Sequence, residues 1–121
     1  MTQAQTPAKT HAQWVQGAQQ LSIATGLFIE GRHVPALDGA RFDCINPANG
    51  QVLAQMAKGG AADIDAAVAS AVQAWNDRRW RGLPPRQRMD VLLRLADLVE
   101  RHADELALLE TLDMGKPISD V

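Results

Sequence analysis

The chain has 121 residues, the size of one ordinary domain, and its 12 basic and 14 acidic side chains leave a net charge of −2, against a nucleic-acid binder with a strongly basic face. Hydrophobic residues at 46% and charged residues at 21% argue for a core rather than wholesale disorder, and twenty alanines with no tyrosine favour packed helices over many strands. The single cysteine, Cys44, rules out an internal disulfide and any multi-cysteine metal centre, and no apolar run approaches the ~20 residues needed to cross a bilayer.

Residues 1–11 are polar and show neither the apolar core of a signal peptide nor the arginines of a transit peptide, so a cytoplasmic location is the expectation. Residues 1–26 read as a polar tail and a short helix. Trp14, Ala18 and Leu21 share one helical face, and Gly26 is expected to stop the helix.

Residues 27–60 read as a hairpin region. The apolar run Leu27-Phe28-Ile29 meets the turn signal Glu30-Gly31-Arg32, then His33-Val34-Pro35, with Pro35 expected at a strand end. A second pair, 41–45 and 51–57, flanks Asn46-Pro47-Ala48-Asn49-Gly50, whose Asn-Pro and Asn-Gly steps predict a hairpin with a five-residue loop.

Residues 61–121 read as helical. Ile64, Val68, Val72 and Trp75 form one stripe over 61–76, with Asp63 and Asp65 at the positive end of the helix dipole. After the break at 77–82, Pro84-Pro85 opens the next helix, lined by Met89, Leu92, Leu93, Ala96 and Val99. A weak break is expected near His102-Ala103-Asp104; Leu106, Leu108, Leu109 and Leu112 then resume, and Gly115 with Pro117 stops the helix.

The chemistry-bearing residues assign no reaction. Gly-x-Ser-x-Gly, His-Glu-x-x-His and the P-loop string are absent, and His11, His33 and His102 have no second histidine at ligand spacing. Cys44 sits in a strand beside Asp43, whose carboxylate is expected to raise the thiol pKa and leave it a small strand residue rather than a nucleophile. Glu110 and Asp113 share a helix face near Gly115, where a solvated pair competes with a cation site. Five arginines, Arg78, Arg79, Arg81, Arg86 and Arg88, surround Trp80; ion pairs with nearby helices compete with phosphate or base binding.

The order of motifs carries more. Leu27-Phe28-Ile29-Glu30-Gly31, Ile45-Asn46-Pro47-Ala48-Asn49-Gly50-Gln51-Val52 and Asp63-Ile64-Asp65-Ala66-Ala67-Val68 come first. Trp80, Leu95-Ala96-Asp97-Leu98-Val99-Glu100 and Leu109-Glu110-Thr111-Leu112-Asp113-Met114-Gly115-Lys116-Pro117 follow. From about Leu21 onward the chain resembles the opening of an aldehyde dehydrogenase. Within that superfamily it is most similar to the gamma-glutamyl-gamma-aminobutyraldehyde dehydrogenases of putrescine breakdown.

The resemblance implies an α/β fold, of which this would be the N-terminal segment: a helix, two small hairpins, then two or three helices, lacking the Rossmann sheet and catalytic domain. It implies that NAD or NADP accepts hydride from a small aldehyde attacked by a cysteine thiolate, with a glutamate-activated water releasing the acid. Those parts lie downstream in the family, so no catalytic or cofactor-binding residue is expected here and Cys44 is not the nucleophile. One feature carries over: a monovalent-cation site formed by the carbonyls of Cys44 and Ile45 and the side chain of Asp113, incomplete without a downstream ligand. The expectation is a truncated dehydrogenase, inactive and marginally stable alone, with no nucleic-acid or membrane partner, that associates with the missing portion. The alternative is a non-enzymatic helical module that docks on a full-length relative or another partner.

Overall fold

The computed structural model describes residues 9–121; the polar tail over 1–8 lies outside the described residues. Helix α1 (His11–Gln20) starts at Thr10, whose hydroxyl accepts from the Gln13 amide while the Gln13 side chain accepts from the Thr10 amide at 2.8 Å. This reciprocal capping box satisfies two orphan donors of the first turn. The helix stops at Gln20, not at Gly26, because Leu21 turns extended. The Thr25 carbonyl then accepts from the Ala57 amide at 2.8 Å, which draws this stretch alongside the second hairpin. Gly26 serves a different purpose: a Cβ there would lie 2.9 Å from the Val34 carbonyl oxygen.

Strands β1 (Leu27–Ile29) and β2 (Arg32–Val34) pair antiparallel, with Phe28 opposite His33 and Pro35 directly after the last strand residue. The two-residue turn between them has positive φ at both Glu30 and Gly31, which matches the right-handed twist of a hairpin. Strands β3 (Arg41–Ile45) and β4 (Val52–Ala57) form the second antiparallel pair. Its register runs from Arg41 opposite Ala57 to Cys44 opposite Ala54, then skips so that Ile45 faces Val52. That irregularity sits at the mouth of the five-residue loop, where the Asn46 carbonyl accepts from Gly50 at 2.8 Å and the Asn46 side chain from Ala48 at 2.9 Å.

Helix α2 (Ala61–Asn76) has the bounds the periodicity predicts. Asp63 does more than complement the dipole. It is buried, and its two oxygens accept from the Gly60 amide at 2.9 Å and the Leu37 amide at 3.0 Å, so it caps α2 and ties down the loop after β2. Helix α3 (Pro85–Arg101) opens on proline, and His102 interrupts the run before α4 (Ala103–Met114). A single 3₁₀ turn (Ile118–Asp120) follows.

The architecture of the described residues is α/β in content, with two separate two-stranded antiparallel sheets and four helices. Helix α4 lies between α1 and α3, and α2 touches β1. Gly17 lets α1 close on α4, since a Cβ there would stand 3.1 Å from Leu108. The interior is small: the buried apolar side chains are Ala36, Ala57 and Leu108. Every member of the α2 stripe is exposed, as are Met89, Leu92, Leu93, Leu95, Leu98 and Val99 of α3. The accessible surface is 9584 Å² for a chain of 13.1 kDa, where a self-contained monomer of that mass presents about 6,400 Å².

Candidate functional site

The C-terminal end of α4 meets the second hairpin. Gly115 ends the helix in the left-handed conformation, φ 78°, and donates its amide to the Thr111 carbonyl at 3.0 Å. Glycine is required there twice over: a side chain is strained at that φ, and a Cβ would lie 3.1 Å from Cγ of Pro47. The Pro47 ring therefore seats on the helix terminus, and this contact sets the distance between β3 and the last turn of α4.

Across that junction the Cys44 thiol donates to Oδ1 of Asp113 at 2.9 Å, joining residues 69 positions apart. The hydrogen bond to Asp113, then partial burial, then the carboxylate's charge push the thiol above its ordinary value. The direction agrees with the sequence expectation, but the carboxylate responsible is Asp113. Asp43, the neighbour in sequence, accepts instead from the Gln55 side chain across the hairpin, because successive strand side chains point to opposite faces.

Of the three residues singled out for a cation, Cys44 and Asp113 are in contact, and Ile45 follows Cys44 at the end of β3, where the ladder shifts register. The donor set is one carboxylate plus backbone oxygens, which suits a hard cation and not a transition metal. No group of three or more His, Cys, Asp or Glu side chains able to hold a metal ion occurs among the described residues. Glu110 and Asp113 part company: Glu110 pairs with Lys116 at 3.4 Å. Thr111, two residues before Asp113, has a buried hydroxyl oxygen with no hydrogen-bond partner, a group that sequence alone does not single out.

Several other candidates have local partners. His33 packs on Phe28 with ring centroids 5.2 Å apart, and His102 meets Glu105 at 2.9 Å. Arg79 pairs with Asp77 within the loop, while Arg81 donates to the Trp75 carbonyl at 2.7 Å and stacks on its ring. A cleft of about 360 Å³ between the first hairpin and α2 is lined by Ile29, Pro35, Leu37 and Asp63. Its buried carboxylate, Asp63, is engaged by two amides, and Glu30, which also lines the cleft, pairs with Arg32 at 3.4 Å. A raised thiol pKa is the reverse of what a nucleophile needs.

The Aldehyde dehydrogenase family profile matches residues 33–121. The chain belongs to the aldehyde dehydrogenase family. It is 47% identical over 103 residues to the aminoacetaldehyde dehydrogenase of Pseudomonas aeruginosa, covering 85% of this chain and 21% of that one. Identity to the NADP/NAD-dependent aldehyde dehydrogenase PuuC of Escherichia coli is 43% over 107 residues, 88% of this chain and 22% of that one. The crystal structure of gamma-glutamyl-gamma-aminobutyraldehyde dehydrogenase from Burkholderia cenocepacia superposes with a TM-score of 0.88 at 50% identity, over 90% of this chain and 22% of that one. Indole-3-acetaldehyde dehydrogenase AldA of P. syringae, solved with NAD+ and IAA, gives 0.91 at 49% identity, over 93% and 23%. The chain thus spans about a fifth of the length of the curated relatives it matches.

Proposed function

We propose that this chain is the N-terminal layer of an NAD(P)-dependent aldehyde dehydrogenase that oxidises omega-amino or gamma-glutamylamino aldehydes to acids, and that it is catalytically silent alone. The observation that carries the reading is the near-complete superposition of this chain on about a fifth of such an enzyme, combined with open apolar faces on α2 and α3. Those faces are the surfaces through which the layer associates with the rest of the dehydrogenase, in the cytoplasm; no described helix is long and apolar enough to cross a membrane. The substrate class follows the relatives that act on aminoacetaldehyde and gamma-glutamyl-gamma-aminobutyraldehyde.

NAD(P) would supply the hydride acceptor, but no residue of this chain is assigned to it. Both sheets are antiparallel pairs, and the described residues contain no β–α–β unit with a glycine-rich turn to receive a dinucleotide. A monovalent cation is proposed at the carbonyls of Cys44 and Ile45 and the carboxylate of Asp113, where it would hold the Asn46-Pro47 turn against α4. Silence is tested by following NAD(P)H absorbance with aminoacetaldehyde and indole-3-acetaldehyde, beside calorimetry with NAD+. The expected result is no turnover and no saturable heat, and robust turnover would overturn it. A cooperatively melting, soluble monomer would favour the alternative reading, a self-sufficient helical module.

A further inference from the structure

We propose that Asn49 is a site of spontaneous deamidation that the folded hairpin loop keeps shut, so that the side chain is converted only when the loop opens. Asn49 precedes Gly50, which has no side chain to hinder closure of a five-membered ring over its nitrogen. In that reaction the Gly50 main-chain nitrogen gives up its proton to hydroxide and attacks Cγ of Asn49. A new C–N bond closes a succinimide, the bond from Cγ to Nδ2 breaks, and Nδ2 leaves as ammonia with a proton from water. Water then opens the ring at either carbonyl, leaving aspartate or isoaspartate. The net change is hydrolysis of one amide, with no oxidant or reductant.

The closed loop occupies both reacting groups. The Gly50 amide donates to the Asn46 carbonyl at 2.8 Å, which shields the proton that must leave first. Oδ1 of Asn49 accepts from the Gln51 amide at 3.0 Å, and Nδ2 of Asn49 donates to Oε1 of Gln51 at 3.4 Å, so the carboxamide is held toward residue 51. The Asn46 amide closes the loop on the Gln51 carbonyl at 2.9 Å, and the Asn46 side chain accepts from the Ala48 amide at 2.9 Å. Asn46 cannot react in this way, because Pro47 has no N–H. Isoaspartate adds a methylene to the main chain between positions 49 and 50, where Gly50 turns at φ 69°, so a converted loop does not regain the closed form.

Exchange of the Gly50 amide hydrogen and ring closure at Asn49 begin with loss of the same proton, and one opening limits both. The test incubates the chain at mildly alkaline pH, folded and in concentrated urea. Deamidation is followed in the tryptic peptide 42–58 by mass spectrometry and Gly50 exchange by NMR, each relative to its rate in urea. The expected result is deamidation about tenfold or more slower in the folded chain, by the same factor as Gly50 exchange, since opening breaks several hydrogen bonds of ordinary net strength. Asn46→Ala, which removes the acceptor for Ala48, is expected to raise both rates together by about two- to tenfold. Equal deamidation rates in the folded chain and in urea overturn the proposal, as does a folded chain that deamidates faster than the protection of Gly50 permits. No conversion in urea, or a folded Asn46→Ala in which deamidation does not rise, also overturns it. If that variant fails to fold, the paired rates of the unmodified protein decide alone.

Discussion

Asp113 and Asp63 show two uses of a carboxylate. Asp113 holds the Cys44 thiol protonated. A thiol whose folded pKa is raised above its ordinary value stabilises the fold fully below that value. The contribution is lost as pH rises through the folded pKa. Alkylation of Cys44 by iodoacetamide at mildly alkaline pH is therefore expected to be slower in the native protein than in Asp113→Asn, where the charge and its hydrogen bond are weakened; equal rates would refute the assignment. Asp63 is a structural residue. Asp63→Ala strands two amides, at ~1–3 kcal/mol each when buried. Amide exchange in the first turn of α2 and at Leu37 should accelerate by about thirtyfold, measured by hydrogen exchange and mass spectrometry. Neither role is legible in sequence. An aspartate in the first turn of a helix is ordinary, and a contact spanning 69 positions leaves no local pattern.

Elements whose ends are set by local chemistry are the ones the sequence specifies. The Asn-Pro-Ala-Asn-Gly loop closes through bonds among its own residues, and α3 opens where proline is tolerated. Helix α1 ends early as Leu21 turns extended, and the Thr25 carbonyl beyond it is claimed by Ala57 in β4, a tertiary contact that periodicity does not register. The stripes divide in the same way: their spacing reveals an apolar face, and the structure leaves those of α2 and α3 in water. Val68→Lys and Leu92→Lys are accordingly expected to change the stability of this chain by no more than ~0.5 kcal/mol, as surface substitutions do. Leu108→Ala, which empties the junction of α1 and α4, is expected to cost about 2–3 kcal/mol. Urea titration of the three variants by circular dichroism distinguishes them, and a large loss at Val68 or Leu92 would mean that those faces are already covered.

The molecule as a whole presents roughly half again the surface of a self-contained monomer of its mass. Side chains such as Ile64, Trp75 and Leu92, each more than half exposed, forgo about 1 kcal/mol apiece of burial. The helix order and both hairpins are legible in the sequence as a segment of a larger fold. The surface that the layer offers emerged only when the helices were placed. The most direct measurement is amide hydrogen exchange along α2 and α3, recorded for the chain alone and with the remaining four-fifths of the Burkholderia cenocepacia enzyme added. Rapid exchange across both helices alone, slowed when that portion is supplied, is the predicted result. Strong protection in the isolated chain, lost only in one cooperative unfolding step, would contradict it.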